Sequence, residues 1–392
     1  MIFQTLDTKD GCSTIYLNGN LRNEWDSSHL THTWTASPFL GNLDIEYAYL
    51  YSQKDIVDSC PDFLREDLAK VQKKLRAFMV SFSHAKIDLN ENCFYDLLPK
   101  FFLTEMCEVK NQITEYTLKN HERPRDYPFL KELLVLTQEI SNRKLNLNFL
   151  KPMKDPENFS LLTKINNLKN VDPYVRYDIF GTKTGRMTVL PNTFPILNLN
   201  KSLRCMIEPT NDWFAELDYN AFELRILLYL LDVEQPNLDL HEWNVTNVFH
   251  GKFDRDHAKK EIFSWLYNLD RKDENIDKIY NRKLILEKYW NGVSVTNPFG
   301  NVIESDQFHA ISYLIQRTAS DIIFRQMLKI KNLLNGKKSF IAFTVHDSVV
   351  LDMAEEDKHL LPEIKKEFSC FRGTNFLSKI RTGRNYGDMK ER

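Results

Sequence analysis

Two aspartates are the residues of this sequence best placed for metal chemistry. Asp218 is the penultimate residue of the run WFAELDY (213–219), and NAFELRILLYLL (220–231) follows it. The first run reads as a strand and the second as a helix with Asn220 near its N-cap, so Asp218 falls at a strand-to-helix turn. Asp347 lies between SFIAFTV and SVVLDM, two β-rich runs separated only by His346 and Asp347. That is hairpin spacing with an acidic tip. Aspartates on neighbouring strands of one sheet can hold two hard cations such as Mg2+, which take a few carboxylate oxygens and leave their other positions to phosphate and water. Either aspartate alone is an ordinary turn residue, so the company they keep decides the reading.

Arg255, Lys259, Phe263 and Tyr267 recur every fourth residue in a stretch of helical period. Each is rotated by only ~40° from the one before, so one helix face offers two cations and then two rings. Cations one turn apart suit a triphosphate, both in the ground state and on a leaving pyrophosphate. Rings further along can stack a base. Arg-x-x-x-Lys on a helix is commonly surface decoration, and the pattern gains its meaning from order and combination.

These residues need a scaffold, and the composition describes one. With 392 residues, 42% hydrophobic and 27% charged, the chain is globular and long enough for two or three domains. Only 12 residues are glycine, and long amphipathic stretches dominate, so helix should outweigh sheet in an α+β fold. The six cysteines, Cys12, Cys60, Cys93, Cys107, Cys205 and Cys370, are far apart with no C-x-x-C pair. That argues against a zinc site and a disulfide framework, and for a reducing cytoplasm. The start, MIFQTLDTKD, has no basic then apolar leader pattern, and no apolar run nears the ~18 residues of a membrane span. A soluble, unexported protein with no membrane partner is expected. A net charge of −2 and pI of about 6.6 do not announce nucleic-acid binding, so any such contact relies on local basic runs. KFDRDHAKK (252–260) and SKIRTGR (378–384) are two, although charge runs are most often solvated faces.

Along the chain, residues 1–80 mix short strand-like runs with a helix near 62–80, and 87–140 carries apolar residues at helical spacing. From Tyr177 to Asn200 the texture is loop-rich, punctuated by Gly181, Gly185, Pro191 and Pro195. No proline interrupts the helical pattern between Pro236 and Pro298.

Taken in chain order over roughly 85–392, these features resemble the family A, DNA polymerase I type, DNA polymerases. Thr184-Gly185-Arg186 and Leu197-Asn198-Leu199-Asn200 are similar to its T-G-R and N-L-Q-N segments, and Asp218-Tyr219-Asn220-Ala221-Phe222-Glu223-Leu224-Arg225 to its motif A. Asp239-x-His241 followed by the Arg255 to Tyr267 helix resembles motif B, and His346-Asp347 motif C. Asn297-Pro298-Phe299-Gly300, Ile315-Gln316-Arg317-Thr318-Ala319 and Gly383-x-Asn385-Tyr386 resemble later blocks.

The resemblance implies a right-hand polymerase with an antiparallel β palm, helical fingers and a helical thumb, preceded by a short α/β segment. Its parts would be an N-terminal segment of unassigned role (1–80), thumb (81–180), palm (181–235 and 296–392) and fingers (236–295). Asp218 and Asp347 would bind two Mg2+ ions, or Mn2+ as substitute, with the Tyr219 carbonyl assisting. Arg255, Lys259 and His241 would hold the triphosphate, Lys259 also acting as proton donor to pyrophosphate. Phe263 and Tyr267 would line the nucleotide, and Glu223 would exclude a ribose 2′-OH. Arg186, Gln316, His346 and Asn198 would grip the primer-template. A guanidinium in the minor groove meets acceptors common to all base pairs, so Arg186 would check shape and not sequence.

Departures from the pattern are Ser348 for the motif C glutamate, Ser264 and Asn268 for motif B glycines, and Ala221 for a glutamine. Phe308, Ser312 and Arg317 replace an arginine, an asparagine and a glycine. Fewer than 90 residues precede the expected thumb, too few for a complete 3′-5′ exonuclease, and Asp44-x-Glu46 and Tyr51-x-x-x-Asp55 lie too close together to be its motifs. The expected activity is therefore primer extension with dNTPs in replication or repair, without intrinsic proofreading, in the cytoplasm of a bacterium or phage-infected host. A separate exonuclease, helicase or processivity factor would be a partner. The rival readings are a single-subunit RNA polymerase, against which Glu223 and Phe263 argue, and a DNA-binding accessory protein that kept the fold without catalysis.

Overall fold

The structure, a computed structural model, describes residues 1–41, 43–152 and 159–391. It comprises two compact units, Met1–Asn142 and Arg143–Arg392. No helix among the described residues is long and apolar enough to cross a membrane.

In the first unit, antiparallel strands Gln4–Thr5, Ile15–Leu17 and Asn20–Arg22 and a parallel pair, His32–Thr33 with Glu46–Tyr47, accompany helices Arg65–His84, Lys100–Asn120 and Tyr127–Ser141. Leu6, Tyr16 and Trp34 share one core with Leu68, Val71, Phe102 and Ile113. The core thus runs across residue 80, and the stretch expected as thumb, 81–180, continues past the end of this unit at Asn142. Residues 153–158 of that stretch lie outside the described residues. Glu46 is bound by Arg123 at 2.8 Å and by the Tyr51 hydroxyl, so it serves as a structural tie.

The cysteine expectation is corrected here. Cys12 and Cys93 form a disulfide with Cα atoms 5.7 Å apart across 81 residues of sequence. Asp7 Oδ2 accepts a bond from the Phe94 amide at 3.1 Å, which docks the loop before Cys12 beside Cys93. Sequence spacing detects local pairs and is blind to a tertiary contact of this range. Cys60, Cys107, Cys205 and Cys370 carry no disulfide.

The second unit is built on a five-stranded antiparallel sheet in the order Phe340–Val345, Ser348–Met353, Trp213–Tyr219, Ser378–Gly383, Lys390–Glu391. Helices Phe222–Leu230, Gln307–Leu333 and Leu361–Ser369 pack on one another and against strands of the sheet. Alternation along Trp213–Tyr219 sends successive side chains to opposite faces. Tyr219 stacks between Phe222 and Phe368, each ring 4.2 Å from its own, and its hydroxyl donates to the Phe368 carbonyl. The Tyr219 face is therefore the one under the helices, and Asp218 is on the other.

Both strands of the Asp347 hairpin are as the sequence indicates, with His346 at φ 53°. A two-residue hairpin tip requires a positive φ at its first position. The segment 236–298 is helical over Leu240–Asn247, Arg255–Tyr267, Glu274–Tyr280 and Arg282–Tyr289, and then turns into a small hairpin, Ser294–Thr296 with Val302–Glu304.

One buried carboxylate ties that hairpin to the longest helix. Asp321, only 1% exposed, accepts from Asn297 Nδ2 at 2.6 Å, Asn301 Nδ2 at 2.9 Å and Arg317 Nε at 3.2 Å. Arg317 in turn lies under Gly185, where a Cβ would meet its Nη1 at 2.2 Å, and Gly185 has φ +73°. Glycine is required there on both counts. Asp321→Ala leaves a partly buried guanidinium and two amides without their acceptor, so it should destabilise the second unit by about 3 kcal/mol, read as a lower urea midpoint with unchanged slope.

Candidate active site

Asp218 and Asp347 stand side by side because their strands pair directly: Asp218 lies opposite Ser348, the residue after Asp347. Both carboxylates are costly to ionise. Burial pushes the Asp218 carboxyl up to about 6, with Glu216 and Asp347 adding to the shift and Arg381 and Lys379 opposing it. Asp347 is also raised by burial and by Glu223, against Arg186 and His346. These are oxygen donors on a partly open face, suited to a hard divalent cation and not to a soft one. Ser348, where the family pattern has an acid, is buried and donates its hydroxyl to the Val345 carbonyl at 3.0 Å, closing the hairpin.

Four of the residues expected at the nucleotide and primer end come together. Glu223 accepts the Tyr267 hydroxyl at 2.6 Å on one oxygen and Arg186 Nη2 at 3.4 Å on the other. This bond links the first turn of Phe222–Leu230 to the last turn of Arg255–Tyr267. Phe263 sits one turn before Tyr267 with its ring nearly parallel, 6.1 Å between centroids.

The cationic end is organised by Asp239, to which the sequence reading assigned no role. Asp239 caps Leu240–Asn247 through the His241 and Glu242 amides, accepts from Asn220 Nδ2 at 2.8 Å, and grips Arg255 through Nη2 at 2.9 Å and Nε at 3.3 Å. Arg255 and its other donors hold the Asp239 carboxyl far below the usual range despite burial. His241 is buried beside Phe263, and its Nδ1 has no partner among the described residues. Burial, then Lys259, lowers it to about 4, so it is a neutral imidazole at pH 7. Lys259 is exposed.

Asn220 differs from its expected role. The helix begins at Phe222 after Ala221 in the left-handed region at φ 49°, and Asn220 instead binds the Leu240 amide and Arg225. Arg225 is 0% exposed and spends every donor inside, on Asn220, Gln235 and the carbonyls of Pro236 and Leu238. It fixes the loop that delivers Asp239. Gln316 donates to Ser312 at 3.2 Å and Asn198 is exposed in a short turn; neither is hydrogen-bonded to the two carboxylates. Phe308 is 71% exposed.

Glu216 and Arg381 were also missed. Glu216, 3% exposed, pairs with Arg381 Nη2 at 3.0 Å, and the same nitrogen is 3.6 Å from Asp218 Oδ2. A glutamate two residues before Asp218 in an apolar strand shares its face, and that spacing was the available signal.

The raised Asp218 carboxyl has a stability consequence. Its folded value lies above the unfolded one, so ionising it costs stability at neutral pH, and the cost fades as pH falls from about 6 toward 4. The side chain is 39% exposed, so screening reduces the effect to the order of 1 kcal/mol. Asp218→Asn should raise the melting temperature in EDTA at pH 7.5, and the gain should vanish near pH 4.

No protein-family model matches the chain. In sequence it is similar to a DNA polymerase of Bacillus phage SP01, 25% identical over 292 residues, covering 55% of this chain and 32% of that protein. The chain thus spans about a third of that relative's length. In structure it is similar to the POL domain of Pol1 from M. smegmatis, solved in complex with DNA primer-template and dNTP. The TM-score is 0.57 at 12% identity, with 75% of this chain and 76% of that chain covered. The chain has the fold of a Pol1 polymerase domain.

Proposed function

We propose that this chain is a DNA-directed DNA polymerase that extends a primer with dNTPs by two-metal phosphoryl transfer. The observation that carries the reading is the pairing of Asp218 and Asp347 on adjacent strands, with Glu223 tied to Tyr267 on the helix that bears Arg255 and Lys259. Palm (181–235 and 296–392), fingers (236–295) and thumb (81–180) are the corresponding domains.

Asp218 and Asp347 are the residues that would hold two Mg2+ ions, or Mn2+, with the Tyr219 carbonyl as a further ligand. Bound there, the ions supply an activated primer 3′-oxygen and charge neutralisation on the triphosphate. Every other task falls to the chain. Arg255, oriented by Asp239, and Lys259 take the triphosphate oxygens, and Lys259 gives a proton to the departing pyrophosphate. His241, neutral, donates a hydrogen bond to phosphate and adds no charge. Glu223, held from both sides by Arg186 and Tyr267, stands where a ribose 2′-OH would come, and Phe263 packs on the sugar. Arg186, His346, Gln316 and Asn198 meet the primer-template duplex. The work is replication or repair in the cytoplasm of a bacterium or infected host, with an exonuclease, helicase or processivity factor as candidate partners.

The test is extension of a primed template by the purified chain with Mg2+ and either dNTPs or rNTPs. Asp218→Ala and Asp347→Ala should each lower dNTP extension by roughly 10³-fold or more. Binding of primed DNA with no extension by wild type would leave the accessory reading instead. Glu223→Ala should raise rNTP incorporation relative to dNTP by roughly tenfold or more. Equal use of rNTPs by wild type would point to an RNA polymerase.

A further inference from the structure

The basic run SKIRTGR has no part in the reaction just described, yet its strand is the immediate neighbour of the Asp218 strand. Lys379 lies directly across from Asp218, and Arg381 directly across from Glu216. Facing residues of an antiparallel pair project to the same side with Cβ atoms about 5 Å apart, so both cations flank the carboxylate face. Each is aimed by an acid on its far or near side. The buried Glu216 takes Arg381 Nη2 at 3.0 Å, and Glu391 on the edge strand takes Lys379 Nζ at 3.1 Å.

The Glu216 pairing has a cost that only placement explains. A carboxylate that is 3% exposed is unfavourable unless its cation is well held. The pair therefore fixes the guanidinium beside Asp218, and no hydrogen bond among the described residues uses Arg381 Nε or Nη1. Lys379 and Arg381 both keep about two-fifths of their side chains exposed. Once Asp218 and Asp347 are committed to metal, the natural complement of these two cations is an anion lying along the neighbouring strand.

The primer supplies one. Its 3′-oxygen has to lie at the two carboxylates, and its backbone then carries a negative charge about every 3.4 Å of helix axis. Neighbouring strands in a sheet are about 4.8 Å apart, so the strand bearing Lys379 and Arg381 is within one or two nucleotides of the 3′ end. We propose that Lys379 and Arg381 form a subsite for the backbone phosphates of the primer strand just behind its 3′ terminus, an inference that rests on the polymerase reading.

The test is equilibrium binding of a labelled primed duplex, and of the same template strand unprimed, in EDTA over a salt series. Wild type is compared with Lys379→Ala, Arg381→Ala and Arg381→Lys. On primed DNA the slope of log K against log salt should fall by about 0.9 for each alanine variant, the value of one lost phosphate contact. Arg381→Lys should keep the wild-type slope, and the unprimed strand should show no change with any variant. A partly misfolded preparation lowers the active fraction without altering that slope, so a folding defect does not mimic the result. Alanine variants with the wild-type slope, or an equal loss on unprimed DNA, would overturn the subsite. Wild type that fails to bind primed DNA would instead remove the polymerase reading on which it rests.

Discussion

Holding Asp218 and Asp347 together costs free energy, and much of the second unit is arranged around offsetting that cost. Both carboxylates lose solvent, and neighbouring acids add to the cost, Glu216 and Asp347 at Asp218 and Glu223 at Asp347, which is why both resist ionisation. The sheet supplies the rigidity: Asp218 is on the central strand, paired on both sides, and Asp347 is at the tip of the adjacent hairpin. Around the pair stand cations from separate elements: Arg381 and Lys379 from the next strand and Arg186 from the loop before the sheet. The two carboxylates thus concentrate unfavourable charge that a divalent cation held there would relieve. Strain of this kind at a site is the usual counterpart of function.

Charge also orders the helical part of the site. Arg255 is placed not by its own helix alone but by Asp239, and Asp239 is placed by Asn220 and by the loop that Arg225 clamps. The segment 218–225 therefore acts twice, through Asp218 at the strand end and through Asn220 and Arg225 on the residues that follow. Glu223 adds a third link, through Tyr267, to the end of the same helix. The helix Arg255–Tyr267 is anchored at both ends by one short segment, 218–225, through Glu223 at Tyr267 and through Asn220 and Asp239 at Arg255.

Much of this was legible in the sequence, and the reasons differ from element to element. The strand 213–219, the hairpin around His346-Asp347 and the helix 255–267 each carry a local period that specifies the backbone, so the side chains on one face follow. What local period cannot reveal is which distant groups meet. Cys12 with Cys93, Asp239 with Arg255, Asp321 with Asn297 and Glu216 with Arg381 are all long-range or cross-strand contacts. Arg317 with Asp321 was readable as an i, i+4 pair, but its value lies in the Gly185 loop above it. Asn220 was misassigned because a polar residue before a helix reads as its cap, whereas here Ala221 intervenes in a left-handed conformation.

The central claim is that Asp218 and Asp347 jointly hold the metals at which a nucleotide reacts. Its most direct test is anomalous diffraction from crystals of the chain grown with Mn2+, primed DNA and a non-hydrolysable dNTP. The account requires two manganese peaks bridged by these two carboxylates, with the triphosphate reaching Arg255 and Lys259. A bound nucleotide with no manganese on either aspartate would contradict it.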